Sequence, residues 1–277
     1  MLYFHGTPST SQFVIDMEWT LVADGFQLIV PQRPGYFGTP LLDRTSTADC
    51  AELAAYVLDH LDVDRVAVIG TSGGGPPALA FATRYPQRTA ALVLQCAQVY
   101  RWDDSGWAPA SHPWLFHVFR VPWRRWLFCQ FFPVLFRIGL PTSKRYLQDL
   151  SGARFSEIQD HPEANWFSET GHRGVTEFRH ERSGYRNDLS TWVREDVLST
   201  GQVNCPTLLL YDPQDPAAPF RHAQYAAHAI AGSELLELNV GGHLIWYGRD
   251  ADLMRQRRTQ FLRKHSGAAV ALEESAV

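Results

Sequence analysis

The sequence predicts an α/β fold, with a mostly parallel central sheet and helices on both of its faces. Three observations carry this. The β-branched, apolar run Val66-Ala67-Val68-Ile69 stops at a glycine-rich turn and gives way to an alanine-rich segment ending at Arg84-Tyr85. That reads as strand, sharp turn, helix. Strand and helix patterns alternate from Leu2 to Cys96 and again from Pro206 to Lys264. Such alternation is the mark of parallel strands joined by covering helices. Finally, 277 residues suit one large domain with an insertion and a substantial core.

Taken in order, Leu2-Tyr3-Phe4 predicts a first strand that breaks at Gly6. Gln27-Leu28-Ile29-Val30 predicts a second, leading into a loop rich in proline and glycine at residues 31–40. Thr47 to His60 reads as a helix, because Leu53, Val57, Leu58 and Leu61 recur at helical spacing. Ala91 to Cys96 is the strand after the glycine turn. Alternation then stops from Ala97 to Asn204.

The first half of this insert is dense in aromatics, among them Trp102, Trp107, Trp114, Trp123, Trp126 and Phe131. Arg120, Arg124, Arg125, Arg137, Pro122 and Pro133 interrupt them, too often for a membrane span. The segment suits either a basic amphipathic surface that lies on a bilayer or a helical cap. In the cap reading its aromatics pack on the core and roof a pocket. The lack of a clear polar face favours the cap. The second half, Ser151 to Leu198, is more polar and reads as helical. Its His161, His172 and His180 lack metal-ligand spacing and read as surface or satisfied residues.

Alternation resumes with strands at Pro206–Tyr211 and Glu234–Leu238, and helices at about residues 220–230 and up to Lys264. Residues 266–277 read as a frayed tail. The expected organisation is a core of residues 1–96 and 205–265, a cap at 97–204, and that tail.

A net charge of −4 gives no reason to expect a nucleic-acid partner. The cysteines, Cys50, Cys96, Cys129 and Cys205, form no C-x-x-C pair and read as buried thiols in a reducing compartment. With no leader or spanning run, the expectation is a soluble cytoplasmic protein. The oligomeric state stays open.

The chemistry starts at Gly70-Thr71-Ser72-Gly73-Gly74. G-x-S-x-G between a strand and a helix is a nucleophile elbow, with Ser72 at the apex of a strained turn. Gly70 and Gly74 remove side chains that would crowd it. Gly73 leaves its backbone N–H open toward a substrate, above the positive end of the helix. Pro76 and Pro77 fit a helix's first turn. No lysine follows the glycines and the spacing is not G-x-G-x-x-G, so phosphate and dinucleotide loops are disfavoured.

Five stretches occur in one order: His5-Gly6-Thr7-Pro8, Arg33-Pro34-Gly35-Tyr36, the elbow, Asp215-Pro216-Ala217-Ala218-Pro219, and Gly241-Gly242-His243. Together they resemble the α/β-hydrolase family over nearly the whole chain. The resemblance implies Ser72 as nucleophile, His243 as base and Asp215 as the acid that orients it. It also implies backbone N–H groups of Thr7 and Gly73 as oxyanion donors. Water would cleave the acyl-enzyme of a small-molecule acyl substrate, so no cofactor and no metal is expected.

Rivals remain for two of these roles. They are Asp212, Asp103 or Asp104 for the acid, and His5, His112, His117, His222 or His228 for the base. Of these, His222 and His228 read as surface residues on a helix. Serine at the apex disfavours dehalogenase and epoxide hydrolase chemistry, whose family members carry aspartate there. Gly73, in place of tryptophan or methionine, weakens iminopeptidase, haloperoxidase and carbon–carbon hydrolase readings. A non-catalytic ligand-binding member is the second reading. The family's N-terminal strand hairpin is missing, which leaves six expected strands with residues 27–30 as an open edge. The expected consequence is a misassigned start or impaired stability.

Overall fold

The computed structural model describes residues 1–102, 115–137, 143–177, 182–193 and 200–266. Five parallel strands form one sheet in the order β1 (Leu2–Phe4), β2 (Val66–Thr71), β3 (Thr89–Gln95), β4 (Thr207–Tyr211) and β5 (Glu234–Glu237). β1 to β4 are buried along their whole length. Unbroken apolar runs suit strands covered on both faces.

Alternate side chains feed two cores. Tyr3, Ile69, Val93 and Leu210 face α1 (Ser11–Met17), α2 (Trp19–Ala23) and α12 (Ala251–His265), which supply Val14, Leu21, Met254 and Phe261. Leu2, Val68, Leu94 and Leu209 face the opposite layer. There α3 (Thr47–His60), α4 (Gly75–Arg84) and α11 (Arg221–Ala229) supply Leu58, Phe81 and Ala223. A Ser46–Asp49 capping box starts α3, satisfying backbone donors at both ends of the box.

The expected sixth strand is reduced to one parallel bridge between Ile29 and Leu2. Ile29 N–H donates to Met1 O at 2.7 Å and Tyr3 N–H donates to Ile29 O at 2.8 Å. Pro31 has no N–H with which to extend the ladder.

The described helices between β3 and β4 are α5 (Leu115–Phe119), α6 (Pro122–Arg137), α7 (Ser143–Ser151), α8 (Phe155–Ile158), α9 (Pro162–Glu177) and α10 (Arg182–Trp192). They carry their own apolar cluster of Trp102, Phe119, Cys129, Leu189 and Trp192. The expectation that the aromatics of residues 100–136 all pack inward fails for Trp123, Trp126 and Phe131. These are 63%, 52% and 59% exposed on α6. The inward side of α6 is already filled by Cys129 and Phe128. Trp107 and Trp114 lie outside the described residues, as do His112, His180 and the tail from residue 267. No helix among the described residues is long and apolar enough to cross a membrane.

Candidate active site

Ser72 stands directly after β2 with φ of +52°, in the left-handed region that a non-glycine residue enters only under constraint. The close packing around the turn explains its flanking glycines. A Cβ at Gly74 would lie 2.0 Å from Phe4 O, and one at Gly70 would lie 2.6 Å from Ala78 Cβ. The elbow therefore presses against β1 and α4 with no room for side chains, which leaves Ser72 half-buried at the carboxyl end of the sheet.

Asp215 and His243 reach Ser72 from the loops after β4 and β5. Ser72 Oγ lies 2.9 Å from His243 Nε2, and His243 Nδ1 lies 2.8 Å from Asp215 Oδ2. A carboxylate only accepts, so Nδ1 carries the proton and Nε2 is left to accept from Ser72. Backbone N–H groups of Ala217 and Ala218 donate to Asp215 Oδ1 at 2.7 and 2.9 Å and fix the carboxylate. His243 is fixed from the insert, its N–H donating to Leu150 O of α7 at 3.0 Å.

Burial alone would lower the pKa of His243, but the Asp215 carboxylate outweighs it and holds the imidazole well above its ordinary value. Cys96 adjoins the pair, its Sγ within 4.8 Å of both ligand atoms. Burial pushes this thiol's pKa up. It therefore faces His243 as a neutral group, and Asp215 is the charge that matters. Cys96, Asp215 and His243 are the described residues whose donor atoms could share a metal ion. Two of the three are already hydrogen-bonded to each other.

The rivals fall elsewhere. Asp212 accepts from the N–H groups of Val240 and Gly242 at 3.1 and 3.3 Å and pairs with Arg154. It anchors the loop that carries His243 without touching the imidazole. His222 is fully buried, which corrects the expectation of a surface residue. Its Nδ1 accepts from Val99 N–H at 3.2 Å, and that bond makes burial of the ring tolerable. His228 is exposed on α11, as expected, and His117 is exposed on α5. His5 is buried, with Nε2 accepting from Arg33 N–H at 3.1 Å. Asp103 and Asp104 lie outside the described residues.

The His5-Gly6-Thr7 turn packs directly on the elbow. A Cβ at Gly6 would lie 3.7 Å from Ser72 Oγ. Thr7, Ser72 and His243 share the wall of a cavity of about 930 Å³. Phe13, Tyr146, Leu150, Trp166, Phe167 and Trp246 give the cavity its apolar lining. The insert's share of that lining comes from α7, just before its more polar second half, and from α9 within that half.

Two buried contributors had no legible signal in the sequence, Cys96 and Asp188. Asp188 sits on α10, and its Oδ2 accepts from Thr7 Oγ1 at 2.5 Å. Neither belongs to a motif, and only the folded chain brings them to the site.

The sequence profile of the alpha/beta hydrolase fold matches residues 1–249. The chain belongs to the alpha/beta hydrolase fold family. This alpha/beta hydrolase is 28% identical over 241 residues to the hydrolase YcgS of Bacillus subtilis, covering 83% of this chain and 80% of YcgS. It superposes on the alpha/beta hydrolase fold protein from Nakamurella multipartita with a TM-score of 0.74 at 29% identity, covering 95% and 91% of the two chains. An esterase from Exiguobacterium antarcticum shares the fold with a TM-score of 0.68 at 19% identity, covering 95% and 90%.

Proposed function

We propose that this protein is a serine hydrolase that cleaves a small, largely apolar ester through an acyl-enzyme. The observation that carries the reading is the continuous hydrogen-bond chain from Ser72 Oγ through His243 to Asp215, at 2.9 and 2.8 Å. A serine hydroxyl is a weak nucleophile until a base can take its proton.

In the proposed reaction Ser72 Oγ attacks the ester carbonyl and passes its proton to His243 Nε2. Asp215 keeps the imidazole in the Nδ1–H tautomer and stabilises the imidazolium that forms. The N–H groups of Thr7 and Gly73 receive the oxyanion. Collapse breaks the C–O bond, and the leaving alkoxide takes the proton from His243. Water then gives a proton to His243 and attacks the acyl carbon, and the acid departs as Ser72 is reprotonated.

Helices α7 and α9 of the insert act as a cap over the acyl site. The aromatic and aliphatic lining supports an apolar acyl group, since such pockets bind mainly by apolar contact with few polar groups.

A fluorophosphonate probe read by intact mass tests the proposal. One adduct per chain is expected on the native protein and none on Ser72→Ala. Equal labelling of both proteins, or none of the folded native protein, would overturn it.

A further inference from the structure

We infer that the Arg33–Asp188 ion pair sets the direction of the Thr7 N–H, which makes Asp188, on the inserted helix α10, a positioning residue for the oxyanion site. The inference rests on the reading just proposed.

The Gly6 carbonyl and the Thr7 N–H belong to one planar trans amide and point in opposite directions. A group that fixes the carbonyl therefore aims the N–H. Arg33 does this together with His5: Arg33 Nη2 donates to Gly6 O at 3.0 Å and His5 Nδ1 donates to the same oxygen at 2.9 Å, so the ion pair supplies the charged half of the grip. Arg33 Nη2 also lies 2.7 Å from Thr7 Oγ1, so its two hydrogens are shared among Gly6 O, Thr7 Oγ1 and Asp188 Oδ2. A cation on the carbonyl also polarises the amide and makes its N–H a stronger donor.

Arg33 is itself held by Asp188. Nη1 donates to Oδ1 at 3.1 Å and Nη2 to Oδ2 at 2.9 Å, a two-point fork that fixes the plane of the guanidinium. Asp188 Oδ2 also accepts from Thr7 Oγ1 and from Tyr36 OH, each at 2.5 Å. Thr7 is thus gripped through its side chain by the carboxylate and through its preceding carbonyl by the cation. Arg33 and Asp188 are 5% and 8% exposed, so water competes little for these bonds. The paired cation also offsets a carboxylate that would otherwise oppose an oxyanion nearby.

The same helix reaches the second proposed donor. A Cβ at Gly73 would lie 2.2 Å from Thr7 Oγ1 and 2.7 Å from the Trp192 ring. Both oxyanion residues are therefore in contact with side chains that α10 carries or holds. The helix is docked independently by Gly184 N–H on Gly35 O at 2.9 Å and Asn187 Nδ2 on Thr45 O at 2.8 Å.

The test compares native protein with Asp188→Ala, Asp188→Asn and Asn187→Ala. It reads the fluorophosphonate rate constant and final stoichiometry at Ser72, and kcat and KM on a p-nitrophenyl ester. For Asp188→Ala one adduct per chain is still expected. Its labelling rate constant and kcat should fall by roughly tenfold to a hundredfold, somewhat less than the loss of a whole oxyanion donor, with KM little changed. Asp188→Asn, which keeps two polar contacts and loses the charge, should fall between that variant and native. It carries the test alone if Asp188→Ala does not fold. Asn187→Ala removes a docking bond of the same helix and should label at the native rate.

Three results would overturn the inference. Asp188 variants could lose stoichiometry at an unchanged rate constant, or raise KM alone. Alternatively, Asn187→Ala could slow labelling as much as Asp188→Ala does. Labelling that persists in Ser72→Ala would instead overturn the proposed function, and the inference with it.

Discussion

His243 is held above its ordinary pKa by Asp215 despite burial, and that sets a testable pH dependence. In the proposed reaction the imidazole must be neutral at Nε2 to take the proton of Ser72. A raised pKa therefore delays its deprotonation to higher pH. We expect the acid limb of kcat/KM to lie above the ordinary imidazole value of about 6.5. Asp215→Asn should move that limb to lower pH, because the stabilising charge is gone, and should cut kcat by roughly 10⁴ as the tautomer is lost. Cys96→Ala should move the limb less than Asp215→Asn does, since it removes a hydrogen-bonding neighbour of His243 but leaves the carboxylate in place. A pH–rate series on the three proteins checks all of this. An unmoved limb in Asp215→Asn would show that another group controls it.

Among the elements, α12 is tied to the sheet by a charge at the junction of α1 and α2. Arg258 on α12 and Glu18 are both fully buried and meet at 2.8 Å. Glu18 also accepts from Tyr3 OH at 2.9 Å and from Trp246 Nε1 at 3.0 Å, and Tyr3 in turn meets Thr71 beside the elbow at 2.6 Å. Glu18→Ala would strand a buried cation and should cost about 3–5 kcal/mol in urea unfolding. The double change Glu18→Met with Arg258→Met should cost less than Glu18→Ala alone. Burial raises the Glu18 pKa, but Arg258 outweighs it and the net value is lowered. The pair's contribution is therefore present above the unfolded carboxylate value and is lost as pH falls through the depressed folded one. No pattern in the sequence announced this pair. Glu18 looks like any helix-end acid, and only the return of α12 across β3 buries it.

For the molecule as a whole, the core was largely legible, and the insert only in its helical character. Parallel buried strands write themselves as unbroken apolar runs, so β2, β3 and β4 could be placed from Val66, Ala91 and Pro206 onward, within two residues of their observed starts. Ser72 was legible from its glycine elbow, while Asp215 and His243 came only through the family resemblance, and the folded chain brings the three within hydrogen-bond reach. The insert offers no such rule. Its densest aromatic stretch left Trp123 and Trp126 facing outward, whereas the cavity drew on Tyr146, Leu150 and Trp166. Filling that cavity should change chain-length preference. Leu150→Trp should lower kcat/KM on a p-nitrophenyl hexanoate by about tenfold or more and leave the acetate nearly unchanged.

Asp188 lies far along the chain from the loop it grips, on a helix that a comparison of architectures would treat as an exchangeable part. A transplanted insert that lacked a carboxylate at this point would leave Arg33 as an unneutralised cation beneath the Thr7 loop. Chimeras that swap inserts between relatives to alter substrate choice would then lose turnover for a reason unrelated to the pocket they import. Restoring this one acid in the graft is the repair.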